Sequence, residues 1–189
     1  MRRMDIMKQI AIWENKKSAG SEFLEVKSLE DTSIAKSSII SIENDTPLKI
    51  EYKIELTNWF TKNVKIDLLN LGKSLYLESN QNHQWFDEHG NEIPELSGAI
   101  DIDISCTPFT NSLPINRVDW RLNKPQSFLM VYIKVPELAL KKVEQVYTLI
   151  KEEKDYQMFD YRSSSFQSTI QVGKDGLVIE YPKLFKRKY

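Results

Sequence analysis

A chain of 189 residues with one cysteine, two histidines and six glycines is short of several kinds of chemistry. The lone Cys106 excludes an internal disulfide and any multi-cysteine metal site. A catalytic thiol would need a base, and His83 and His89 both sit in a polar, turn-like segment. Cys106 therefore reads as a small buried hydrophobe. Long hydrophobic runs are also missing. No window approaches the ~20 apolar residues of a membrane-spanning helix, and no apolar core of signal-peptide length follows Arg2, Arg3 and Asp5. The expectation is a cytoplasmic protein without a transmembrane segment. Charge of one sign is not in excess: 26 basic residues face 27 acidic ones, for a net charge of −1. Such a balance gives no field to gather nucleic acid. The one basic cluster, Lys183, Lys186, Arg187 and Lys188, reads as a solvated tail. GxGxxG, a Walker loop, HExxH and GxSxG are absent, so neither a cofactor nor a metal is expected.

What is present is ordinary in amount and distinctive in pattern. Apolar residues make up 41% and charged residues 28%, as in a globular protein of one domain spanning residues 1–189. Period-two alternation dominates. Ile50, Tyr52, Ile54 and Leu56 alternate with Lys49, Glu51, Lys53 and Glu55, which predicts a half-buried antiparallel strand. Further strands are predicted over 7–13, 22–26, 38–43 (ended by Asn44-Asp45-Thr46-Pro47), 64–68, 75–78 and 84–86. Val118, Trp120 and Leu122 alternate in the same way. The nearly all-apolar run 128–135 predicts a strand covered on both faces. Residues 136–153 carry both a helix start at Pro136-Glu137 and the strand composition of Val143 to Thr148; strand is preferred. Gly173-Lys174-Asp175-Gly176 predicts a hairpin turn between strands over 165–172 and 177–181, with Pro182 as the stop. About a dozen short strands at turn spacings of ~8–12 residues, with few or no long helices, define an all-β, mainly antiparallel fold: a sandwich, barrel or rolled sheet.

The candidate site lies in Gly98 to Arg117, GAIDIDISCTPFTNSLPINR. Alternation puts Ile100, Ile102 and Ile104 on one face of a strand and Asp101, Asp103 and Ser105 on the other. Pro108 and Pro114 then predict a rigid polar loop without a regular ladder. Two carboxylates two residues apart on one strand face stand roughly 6.6 Å apart at Cα. That suits a glycoside-cleaving pair, a hard cation, or hydrogen bonds to sugar hydroxyls. The plain alternative is a solvent face or a pair with Arg117. Thr107, Thr110, Asn111 and Arg117 either recognise a ligand from a stiff loop or cap backbone groups within it. Trp13, Trp59, Trp85, Trp120, Tyr52, Tyr132 and Tyr147 supply aromatic surface, chiefly for core packing.

This stretch, together with VYIKVPEL, QVYTL and the ending DGLVIEYPKLFKR, resembles the bacterial "putative glycolipid-binding" family. The family pattern D-V-D-I-x-x-T-P-F-T-N-T-L-P-I-R-R falls on Asp101 to Arg117, its Q-x-Y-T on Gln145 to Thr148, and its D-G-L-V-x-D-Y-P on Asp175 to Pro182. The first half of the chain matches only loosely, through Trp13, Glu22 and the Tyr52 to Leu56 strand. The chain departs from the pattern at Ser112, Asn116 and Glu180, and Asn116 removes a cation from the loop. The resemblance implies a single curled, mostly antiparallel sheet, a spiral β-roll, and binding of a glycolipid or similar amphipathic molecule.

Three functions follow. The first is non-enzymatic binding in an apolar groove of roughly 300 Å³ or more. Its mouth would carry Asp101, Asp103, Thr107, Thr110, Asn111, Arg117, Gln145 and Tyr147. The second is a hydrolase for glycosyl or ester bonds, with Asp101 or Asp103 as acid/base. The third is a structural or interaction role, in which Asp101, Asn111 and Arg117 bond mainly to each other and to backbone.

Overall fold

The structure, a computed structural model, describes residues 6–43 and 45–189. Arg2, Arg3 and Asp5, and Asn44 of the predicted turn, lie outside the described residues. Fourteen strands form one sheet. The first half of the chain supplies β1 (Met7–Asn15), β2 (Gly20–Leu29), β3 (Thr32–Glu43), β4 (Thr46–Thr57), β5 (Phe60–Leu68), β6 (Lys73–Ser79) and β7 (Trp85–Phe86). The second half supplies β8 (Asp101–Ile104), β9 (Pro125–Lys134), β10 (Ala139–Glu152), β11 (Tyr156–Ser163), β12 (Phe166–Gly173), β13 (Val178–Tyr181) and β14 (Phe185–Arg187). One short helix, α1 (Ser112–Arg117), follows a 3₁₀ turn at Phe109–Asn111. No described helix is long and apolar enough to cross a membrane.

The sheet order runs β7-β6-β5-β4-β3-β2-β1-β14-β13-β12-β11-β10-β9-β8. Each half is a meander of hairpins, and the halves are stitched by β1 pairing with β14 through Trp13↔Arg187 and Asn15↔Phe185. Only β8 runs parallel to its neighbour, β9. A parallel pair needs a long crossover, and the 3₁₀ turn and α1 lie within it. The sheet does not close: β7 and β8 are its edges. It curls instead, so that β5 packs against β8 and α1.

Alternation sets which side faces in. In β4, Leu48, Ile50, Tyr52, Ile54 and Leu56 are buried while the residues between them meet water. The tight β4–β5 turn places Asn58 and Trp59 at φ of 50° and 64°, the left-handed pair that matches strand twist in a two-residue hairpin. Trp13, Trp85 and Trp120 direct their indole N–H groups to the carbonyls of Val178 (2.8 Å), Ala99 (2.8 Å) and Ile115 (2.9 Å), which removes the cost of burying an unpaired donor. Trp120, Phe128, Tyr147, Phe159, Tyr161, Tyr181 and Phe185 form a chain of edge-on and tilted ring contacts across the second half.

Several expectations need correction. The rigid polar loop after β8 is a 3₁₀ turn and a helix; Pro114 fits the helix because it stands in the first turn, where a missing N–H costs nothing. Residues 118–122 form no strand: Trp120 turns in to meet Phe159, with ring centroids 5.0 Å apart. Tyr156–Ser163 and Phe185–Arg187, where the sequence pattern predicts no strand, are β11 and β14. The basic ending is therefore no free tail, since Arg187 pairs with Asp175 at 2.7 Å and Lys188 with Glu14 at 2.9 Å. Residues 139–152 are strand, as preferred. The apolar run in β9 is covered on both faces only over Met130, Val131 and Ile133; Leu129 is 41% exposed.

Candidate functional site

Strand β8 lies inside the roll, and its acidic face points inward. Asp101 is fully buried. Its Oδ2 accepts from Arg117 Nη1, and its Oδ1 accepts from Thr61 N and Oγ1, both at 3.2 Å. Arg117 also donates to the Trp59 carbonyl at 3.2 Å and lies over the Phe60 ring at 4.4 Å. One ion pair thus ties β8 and α1 to the tip of the β4–β5 hairpin. Burial raises the Asp101 carboxyl to about 6, with Arg117 and Thr61 opposing.

Asp103, one pleat further on, belongs to a separate network. Gln145 Nε2 donates to its Oδ2 at 2.6 Å and Thr110 Oγ1 to its Oδ1 at 3.1 Å. Thr110 Oγ1 also accepts from Ile104 N at 3.3 Å. Tyr147 Oη lies 3.0 Å from Asn111 Oδ1 and 3.1 Å from Gln145 Oε1, and its single hydrogen serves one of them at a time. Asn111 Nδ2 donates to Pro108 O at 3.3 Å. Burial raises the Asp103 carboxyl above the usual carboxylate range, against the pull of Gln145 and Thr110.

A third node was not among the expected site residues. Glu22 of β2 is buried, and its Oε1 accepts from Tyr52 Oη (2.6 Å), Ser37 Oγ (2.8 Å) and Thr107 Oγ1 (2.9 Å). Its Oε2 has no partner among the described residues. Burial outweighs the three donors and lifts the carboxyl to about 7. Glu22 thereby joins the first half of the sheet, through Ser37 and Tyr52, to the segment after β8. Its signal in the sequence is phase: it shares a strand face with Leu24 and Val26, while Phe23 lies on the other.

Beside these nodes is a cavity of about 570 Å³. Asp103, Thr107 and Asn111 line it; Asp101, Thr110, Arg117, Gln145 and Tyr147, expected at its mouth, are not part of the lining. Thr107 and Asn111 are buried, so these two stand at the floor and not the rim, while Asp103 is half-buried. Tyr161, Tyr181 and Phe185 contribute walls, and the exposed Lys17, Lys134 and Lys141 stand at the opening. The lining is mixed and not continuously apolar. Cys106 also reaches the cavity; burial pushes its thiol far above the ordinary range, and the nearby Glu22 charge adds to the effect. Among the described residues, no group of three or more His, Cys, Asp or Glu side chains is placed to hold a metal ion.

Comparison with known proteins agrees with this architecture. A solved structure of a DUF1089 family protein from Pseudomonas aeruginosa shares 27% identity with this chain and superposes with a TM-score of 0.72. The match covers 89% of this chain and 91% of that one. No curated protein matches the chain. The family described as "Putative glycolipid-binding" matches residues 10–187, a span that takes in β8, α1, Glu22 and the floor of the cavity. The chain belongs to that family.

Proposed function

We propose that this protein binds, without transforming it, an amphipathic small molecule of the glycolipid type in the cavity beside β8. The observation that carries the reading is the cavity: about 570 Å³ of space beside the buried polar networks of the segment after β8. That volume falls in the ~300–1,000 Å³ range of small-molecule sites, where a mainly apolar lining supplies affinity and a few fixed polar groups supply orientation. Here Tyr161, Tyr181 and Phe185 play the first part and Asp103, Thr107 and Asn111 the second. Gln145, Thr110 and Tyr147 hold those polar groups in place from behind. The Asp101–Arg117 pair acts at one remove, by anchoring β8 to the β4–β5 hairpin. The family description, glycolipid binding, supports the same class of ligand.

The test is native mass spectrometry of protein purified from its own host. A co-purifying amphiphile is expected on the wild type and absent from Val143→Trp, which fills the cavity from its wall. Both proteins should share a melting temperature to within a few degrees. A wild type that carries no adduct and takes up no added amphiphile sinks the reading.

A further inference from the structure

We infer that the ligand enters polar end first: a sugar occupies the floor of the cavity, an anionic group next to that sugar, such as a phosphate or carboxylate, sits between the lysines at the opening, and the apolar chain leads outward. The inference rests on the cavity being the ligand site. Its first support is the depth order of the lining. Thr107 and Asn111 are 2% and 5% exposed, while Lys17, Lys134 and Lys141 are exposed. A hydrocarbon chain driven to this floor would strip water from an amide, a hydroxyl and a carboxylate and return no hydrogen bond. A hydroxylated ring does return them. Asp103 takes one donor on each oxygen and has lone pairs for more, and only one of the two Asn111 Nδ2 hydrogens is used, toward Pro108.

The second support is the wall. Tyr161, Tyr181 and Phe185 line the cavity at about the depth of Thr107 and Asn111, and the Tyr181 ring meets both of the others. Flat aromatic faces suit the C–H faces of a sugar ring as well as they suit a lipid chain. At the rim, Phe166 is 45% exposed, an apolar landing for a chain on its way out. The third support is charge. Of the three lysines, Lys134 is shared with Glu137 at 3.2 Å, whereas no described carboxylate pairs with Lys17 or Lys141. The acidic groups in the lining are Glu43 and Asp103, and Asp103 is already engaged by Gln145 and Thr110. The opening is therefore net cationic, and two ammonium groups are free to meet an anion.

The experiment uses full-length protein and three soluble probes in calorimetric titration: octyl glucoside, glucose 1-phosphate and octanoate. Glucose 1-phosphate, which has no tail, is expected to bind and to compete with octyl glucoside. Its affinity should fall at least tenfold in the Lys17→Gln/Lys141→Gln variant and on raising salt, while octyl glucoside changes less than twofold. Both substitutions are at exposed positions, so folding is not at stake. If octyl glucoside or octanoate binds and glucose 1-phosphate does not, the cavity is a ligand site and the inference is overturned. The inference also fails if the double variant binds glucose 1-phosphate as the wild type does. If none of the three binds, the reading of the cavity falls as well.

Discussion

Replacing Glu22 by Gln should stabilise the protein, and by an amount that depends on pH. Glu22 is buried with three hydroxyls on Oε1 and nothing on Oε2. A Gln amide can keep its oxygen at the Oε1 position and place its nitrogen where Oε2 stood, so the buried charge is gone; the unpaired N–H groups cost a fixed amount at every pH, and the charge sets the pH-dependent part. The carboxyl rises from 4.5 to about 7 on folding. Because the folded-state value lies above the unfolded one, the folded protein holds this proton more tightly, and stability declines as pH rises from about 4.5 to about 7. Each tenfold gain in proton affinity is worth about 1.36 kcal/mol, so the full difference is roughly 3 kcal/mol above pH 7 and under about 1 kcal/mol at pH 5. Asp101 and Asp103 are shifted in the same direction and add to the wild-type slope. They are common to both proteins and cancel in the difference. Urea unfolding followed by tryptophan fluorescence at pH 5 to 8 measures it. Two stability curves that run parallel across this range would refute the reasoning, because the gain would then owe nothing to a buried titrating group.

Arg117→Met should destabilise by about 3–5 kcal/mol, since it leaves Asp101 buried without its cation. Arg117→Met combined with Asp101→Asn should recover a large part of that loss, and a double-mutant cycle from chemical denaturation reads the coupling. Gly176→Ala should cost at least about 1–3 kcal/mol: Gly176 sits at φ +73°, and an added Cβ would lie 1.8 Å from Asn116 Oδ1. Thermal melting of Gly176→Ala alone and with Asn116→Ala would show whether relieving the collision returns part of the loss.

Much of the fold could be read from alternation where a strand has one wet face. β4 shows it plainly, because every second residue from Lys49 to Glu55 is charged and the set between is apolar. The same rule misled at β8. The acidic set Asp101 and Asp103 looked like a water-facing or ligand-facing side, yet the curl of the sheet brings β5 over that strand, burying Asp101 fully and leaving Asp103 half-buried against the cavity. Period two tells which residues share a face and says nothing of what a distant strand will lay upon it. Val118, Trp120 and Leu122 alternate equally well but are committed to the aromatic contacts of Trp120, so tertiary packing overrode the local pattern. The candidate site was legible as a stretch. Asp103, Thr107 and Asn111 reach the cavity; Asp101 and Arg117 bind each other, as their opposite charges allowed. Glu22, met only as a point of family resemblance, was not read as a site residue because its partners lie 15, 30 and 85 residues away, beyond the reach of spacing arguments.

The pairing of β1 with β14 sets the order in which the molecule can assemble. Within each meander, neighbours in the sheet are neighbours along the chain, so hairpins can zip by closing short loops. The seam between them joins Asn15 to Phe185 and Trp13 to Arg187, and its formation must wait until the chain has been made past Arg187. Ribosome-bound chains ending before Phe185 should therefore display two partly ordered ribbons with no fastening between them, and release of residues 185–187 from the ribosome should bring a cooperative rise in protease resistance.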